Sequence, residues 1–134
     1  MNHQQGHIDT LEKVQRRAAR YVMGRYRYRS SVGEMIKQLE WKSLQLRRKE
    51  ARLNMMYKTV NDKVAINPDK YFNKPNRTSS RHTQPHSFAI PSTSKDYRKW
   101  SFFCNTVRDW NSLPPDIAGA KSLETFKSQV AELN

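Results

Sequence analysis

The chain has 134 residues, a net charge of +13, 36% hydrophobic residues and a mean hydropathy of −0.97. That suffices for one domain with a small core and extended parts, and no apolar run approaches the roughly 18 residues of a membrane span. The N-terminus has no apolar signal region, and the single cysteine, Cys104, excludes an internal disulfide and fits a reducing, intracellular setting.

Residues 1–7 are polar and expected to fray. Asp9-Thr-Leu-Glu12 reads as a capping box opening a helix near Asp9, with Ile8, Leu11, Val14, Ala18, Tyr21 and Val22 on one apolar side and Gly24 as its stop. A basic connector follows, in which Arg25, Arg27 and Arg29 alternate with Tyr26 and Tyr28. Ser31-Val-Gly-Glu34 is a second capping box, for a short helix through Met35, Ile36 and Leu39 that Trp41 ends. Ser43 caps a longer helix to about Val60. Its apolar residues lie on two sides, Leu46, Leu53, Met56, Tyr57 and Val60 on one and Leu44, Ala51 and Met55 on the other. This pattern predicts a helix sandwiched between neighbours. Residues 8–60 thus read as three helices packed on one another.

Residues 61–96 read differently. Asn67-Pro-Asp69 caps one short turn carrying Tyr71 and Phe72, and residues 73–87 are too polar to order themselves, so a linker or ligand-ordered loop is expected. Ser87–Pro91 and Tyr97–Trp100 flank a turn-prone stretch and allow a short β-hairpin, with Pro91 limiting it to an edge. The region 97–134 opens with the densest ring cluster of the chain: Tyr97, Trp100, Phe102, Phe103 and Trp110. A helix is predicted from about Ser101 to Asn111, with Phe103, Val107 and Trp110 at helical spacing, ended by Pro114 and Pro115. Ser122 caps a last helix with Leu123, Phe126, Val130 and Leu133 on one face. The fold class is therefore mainly α: a small helical bundle, an irregular basic linker with the hairpin option, and two C-terminal helices.

Catalytic and metal chemistry is not legible. The four glycines form no phosphate loop, there is no nucleophile elbow, and the carboxylates are scattered rather than paired. His82 and His86 have metal-like spacing, but a zinc site would lack further ligands, so both read as solvated loop residues. No cofactor, metal or small-molecule substrate is expected.

Charge is the stronger signal. Residues 1–60 carry +9, residues 61–99 carry +5, and residues 100–134 carry −1. Such an excess points to a polyanion, nucleic acid ahead of an anionic membrane surface. In the first helix Lys13, Arg16, Arg17 and Arg20 follow i, i+3, i+4, i+7 spacing, which sets four cations along one side over roughly 10 Å. Arginine forks match phosphate oxygens, and Arg25, Arg27 and Arg29 extend the track. Tyr26 and Tyr28 either stack on bases or pack. Arg47 and Arg48, with Lys49 and Arg52, spread around the third helix and give a weaker signal. Residues 100–134 net −1, so the aromatic region lacks the cations that usually accompany stacking on nucleic acid. It reads as core, with Trp100, Phe103 and Trp110 holding the tail together and Cys104 a lone buried thiol.

Three segments in order resemble one family: Leu11-Glu-Lys-Val-Gln-Arg-Arg-Ala-Ala-Arg-Tyr-Val22; Leu39-Glu-Trp-Lys-Ser-Leu-Gln-Leu-Arg-Arg48 with Ala51-Arg-Leu53 and Tyr57-Lys58; and Ser101-Phe-Phe-Cys-Asn-Thr-Val-Arg-Asp-Trp-Asn-Ser-Leu-Pro114 with Ser122-Leu-Glu-Thr-Phe-Lys127. Together they resemble the C-terminal end of the reverse transcriptase of jockey-like non-LTR retrotransposons (LINE type), over about residues 8–130. The family usually has proline where this chain has Cys104, which loosens a helix start slightly. The resemblance implies that residues 8–60 belong to the thumb, whose helices hold the template–primer duplex, and that the rest is the tail beyond it. The palm with the catalytic aspartates has no counterpart in this sequence, and the short polar start suggests a truncated copy or a fragment. The expected chain is a non-catalytic piece of an RNA-directed DNA polymerase that binds RNA or an RNA–DNA hybrid by its backbone. The alternative is a protein-interaction module or decayed remnant that packs on the rest of such a polymerase.

Overall fold

A computed structural model describes residues 3–75, 84–92, 94–95 and 101–133. Among these residues the chain is mainly helical, with no strand. The helices are α1 (His3–Met23), α2 (Val32–Gln38), α3 (Leu44–Val60), α4 (Pro68–Tyr71), α5 (Phe102–Asn111), α6 (Pro115–Ala118) and α7 (Leu123–Leu133). Two compact units are formed, Met1–Arg48 and Lys49–Asn134, with the division falling inside α3.

Most starts follow the predicted caps, because a cap is decided within three residues. Ser31 Oγ accepts from the Glu34 amide, Ser43 Oγ from Leu46, Asn67 Oδ1 from Asp69, and Ser122 Oγ from Thr125. The exception is α1. It begins at His3 rather than Asp9, and Asp9 lies mid-helix, where its carboxylate accepts from the Gln5 amide group. Glu12 does cap a helix, but a different one: its Oε1 accepts from the Gln45 amide in the first turn of α3. A carboxylate there also meets the positive end of the α3 dipole.

Three helices end alike. After α1, the Gly24 and Arg25 amides return to the Tyr21 and Arg20 carbonyls; after α2, Glu40 and Trp41 return to Lys37 and Ile36; after α3, Asp62 and Lys63 return to Thr59 and Lys58. This is the Schellman closure, which needs a left-handed residue. Gly24 takes φ +61° without cost, whereas Glu40 and Asp62 hold φ +53° against their own Cβ atoms.

In the N-terminal unit α1 and α2 pack together and bury Ala19 and Met35. The inward line of α1 is Ile8, Glu12, Gln15, Ala19 and Met23, with Gln15 donating to the Lys42 carbonyl at 2.8 Å. The expected apolar face is thus displaced: Leu11, Val14, Ala18, Tyr21 and Val22 are all exposed. The helix turns two polar side chains inward because each finds a backbone partner some thirty residues away.

The C-terminal unit holds the larger core. Leu53, Met56 and Tyr57 of α3 bury against Val107 and Trp110 of α5 and Phe126 and Val130 of α7. Tyr57 stacks on Phe126 at 4.5 Å between ring centroids and donates its hydroxyl to the Ala120 carbonyl. Arg52 pairs with Asp109 at 3.0 Å, linking α3 to α5. The second apolar side of α3 is not sandwiched: Ala51 and Met55 are exposed and Leu44 is half-buried.

Two further expectations are corrected. Phe103 is not core but largely exposed at the start of α5, while Val107 and Trp110, one and two turns on, are buried as expected. His86 and Ser87, at the end of the stretch read as linker, pack instead. Ser87 and Phe88 are buried, and the Asn111 side chain grips the Phe88 backbone twice, accepting from its amide at 2.9 Å and donating to its carbonyl at 2.8 Å. Residues 76–83, His82 and the Tyr97–Trp100 arm of the hairpin option lie outside the described residues.

Candidate nucleic-acid interface

The nine cations singled out by sequence, Lys13, Arg16, Arg17, Arg20, Arg25, Arg27, Arg29, Arg47 and Arg48, all fall in the N-terminal unit. Eight are exposed and Arg20 is half-buried. None makes an ion pair with a described residue. In α1 the four basic positions occupy the sector next to the packed line, with Arg17 bordering the exposed apolar residues Tyr21 and Val14. The helix therefore has three faces: one packed, one cationic, one apolar and open.

Gly24 sets the direction in which the track continues. Its left-handed closure turns the chain out of α1, and a turn closed by the Ser30 amide on the Arg27 carbonyl puts Tyr28 and Arg29 at its corner. Tyr26 and Tyr28 are both exposed, so packing does not account for them. Three arginines alternating with two solvent-facing phenols offer charge and ring faces together. Arg47 and Arg48 project from the beginning of α3, where a cation opposes the helix dipole.

The C-terminal unit has a different character. An open cleft of about 290 Å³ is lined in part by Lys74, His86, Phe88, Trp110 and Pro115, with no carboxylate among the described residues of its wall. His86 is not the solvated residue expected from sequence. Its Nε2 sits 3.2 Å from the Trp110 carbonyl, its own carbonyl accepts from the Trp110 indole at 3.0 Å, and its ring meets Trp110 edge-on. Burial pushes its pKa below the usual histidine value, Lys74 lowers it further, and the Trp110 and Leu113 backbone act the other way. Cys104 is buried, as expected of a structural thiol. Among the described residues no three His, Cys, Asp or Glu side chains gather as a metal site, and no helix is long and apolar enough to cross a membrane.

Sequence reasoning missed one surface of this unit, formed by Tyr71, Phe102 and Phe103. All three rings are exposed; Phe103 stacks on the sequence-distant Tyr71 and meets its neighbour Phe102 edge-on. Lys70-Tyr-Phe-Asn-Lys74, with rings between lysines, was the available signal.

No protein-family model matches this chain, and no curated protein or solved structure is similar enough to it to inform the reading.

Proposed function

We propose that this chain is a non-catalytic, intracellular nucleic-acid-binding module, which holds the phosphate backbone of RNA or an RNA–DNA hybrid. The observation that carries the reading is the concentration in one unit of nine cations that make no ion pair with a described residue, without an interleaved acid on the α1 stripe. A folded unit bearing this much uncompensated charge repels itself, and a polyanion relieves the repulsion. The resemblance to the thumb and tail of a LINE-type reverse transcriptase supplies the context: there the module would cradle the template–primer duplex beside a palm that does the chemistry. Backbone contact without base readout follows from the residue types, since no DNA-reading motif is present.

The test is the salt dependence of binding to an RNA–DNA hybrid. Each neutralised phosphate adds roughly −0.9 to the log–log slope on B-form DNA, so a four-cation variant (Lys13, Arg16, Arg17 and Arg20→Ala) flattens the slope by up to about 3.6. Equal affinity and slope in wild type and variant would sink the phosphate track. Primer extension by the chain alone, with nucleotides and magnesium, is expected to be blank.

A second reading, a protein-interaction module, is favoured by one observation. Leu11, Val14, Ala18, Tyr21 and Val22 form an open apolar stripe on α1 that nothing among the described residues covers. In the setting of the family it resembles, that stripe would seat the module on the polymerase body.

A further inference from the structure

We infer that Tyr71, Phe102 and Phe103 form a stacking platform for the bases of single-stranded nucleic acid, a second binding surface carried by the C-terminal unit. The inference rests on the reading of the chain as nucleic-acid binding and deepens it from duplex backbone to unpaired bases.

A small protein leaves large rings in water at a cost, since each ring gains free energy by burial. Here three neighbouring rings stay out: Tyr71 and Phe102 are each 45% exposed and Phe103 42%. They are not loose. Tyr71 and Phe103 lie nearly parallel, 6° apart with centroids at 5.5 Å, and Phe102 meets Phe103 edge-on at 5.4 Å. Behind them Phe72 and Phe88 are buried, and Phe72 contacts both Phe88 and Phe103. The cluster is therefore half core and half surface. Its inner rings fix the outer ones, which lowers the entropy lost when a ligand docks.

Two cations accompany the rings. Lys70 lies over the Tyr71 ring at 5.8 Å from its centroid, and Lys74 over the inner ring Phe88 at 4.7 Å, both lysines exposed. Rings to stack on with ammonium groups beside them are what single strands meet in sequence-tolerant binding sites: the bases take the ring faces and the phosphates take the charges. A duplex cannot use these faces, because its bases are already stacked on each other. The net −1 of residues 100–134 does not count against the site, because its lysines arrive from α4 and the segment after it, within the stretch that carries +5.

The test uses the full chain and two probes, a 12-nucleotide oligo(U) RNA and a 12-base-pair RNA–DNA hybrid, each titrated at two salt concentrations. Tyr71→Ala with Phe102→Ala is expected to weaken oligo(U) binding at least tenfold, leaving its salt slope and the hybrid affinity within twofold of wild type. The four-cation α1 variant is expected to do the reverse: weaker hybrid binding and a flatter slope, with oligo(U) binding still sensitive to the two rings. Failure of the track and failure of the platform thus appear on different probes. Tyr71→Leu with Phe102→Leu keeps apolar area without a ring face, so it is expected to lose oligo(U) like the alanine variant. Phe102→Trp is expected to tighten binding. Wild-type affinity for oligo(U) in the leucine variant would overturn the platform and mark the patch as an apolar docking surface instead. Should the alanine pair fail to fold, the leucine and tryptophan variants, close in size to the originals, decide the matter.

Discussion

The two units divide labour in a way their composition only hints at. The N-terminal unit buries little: Ala19, Met35 and the amide of Gln15, with its cations and its apolar stripe facing outward. The C-terminal unit buries Trp110, Tyr57, Phe126, Leu53, Met56, Val107 and Val130 almost completely. The first spends its helix formers on presenting charge, and the second builds a closed aromatic core. Surface chemistry and stability are thereby separated along the chain, and substitutions in one unit should report on one property.

The largest effect that tests this separation is core truncation. Trp110→Ala is expected to cost about 3–5 kcal/mol, whereas Met35→Ala in the thin N-terminal unit costs about 2 kcal/mol or less, because a loosely packed site relaxes into the void. Chemical denaturation of both variants checks the ordering, and equal losses would break the comparison.

A smaller effect should appear in both units, with the opposite sign at Gly24. Glu40→Gly and Asp62→Gly each relieve a left-handed residue and are expected to raise stability by about 0.5–1 kcal/mol. Gly24→Ala, at the matching position after α1, should lose a similar amount. Thermal melts of the three variants read the signs directly, and a loss in Glu40→Gly would show that its side chain contributes more than its backbone costs.

The smallest effect is a pH dependence confined to the C-terminal unit. His86 has a folded pKa below its unfolded value, so the unfolded chain takes up the proton first as pH falls. Stability is therefore full above about pH 6.5 and declines below it until the folded-state value is passed. A His86→Gln variant should show a shallower decline between pH 7 and pH 5. An unchanged profile would remove His86 from the account.

How much was legible follows range in sequence. Ser31, Ser43, Asn67 and Ser122 were readable as caps because partner and cap lie two or three residues apart. Gly24 was readable because a left-handed closure favours it. The packed face of α1 was not, because Gln15 and Glu12 face inward only by virtue of the Lys42 carbonyl and the Gln45 amide. The buried state of His86 depends likewise on Trp110, twenty-four positions on. The nine candidate cations were readable one by one, and spacing placed the α1 four on one stripe. All nine lie within residues 8–60, read from sequence as one helical region; what was hidden is the division inside the continuous helix α3. Phe103 was misread because helical spacing gives a face without saying whether anything covers it.

The double grip of Asn111 on Phe88 has a chemical consequence of its own. A carboxamide and a carboxylic acid differ by one atom, and Asn111 is followed by the small Ser112. Conversion of Asn111 to aspartate, by substitution or by slow hydrolysis in an ageing sample, keeps the acceptor for the Phe88 amide. It replaces the donor with a second oxygen aimed at the Phe88 carbonyl, turning one attraction into a repulsion. The strap of residues 86–90 would then work loose while the helices beneath it stayed intact. Faster amide exchange at Phe88, set against unchanged exchange in α5, would be the signature of a molecular clock built on a single side chain.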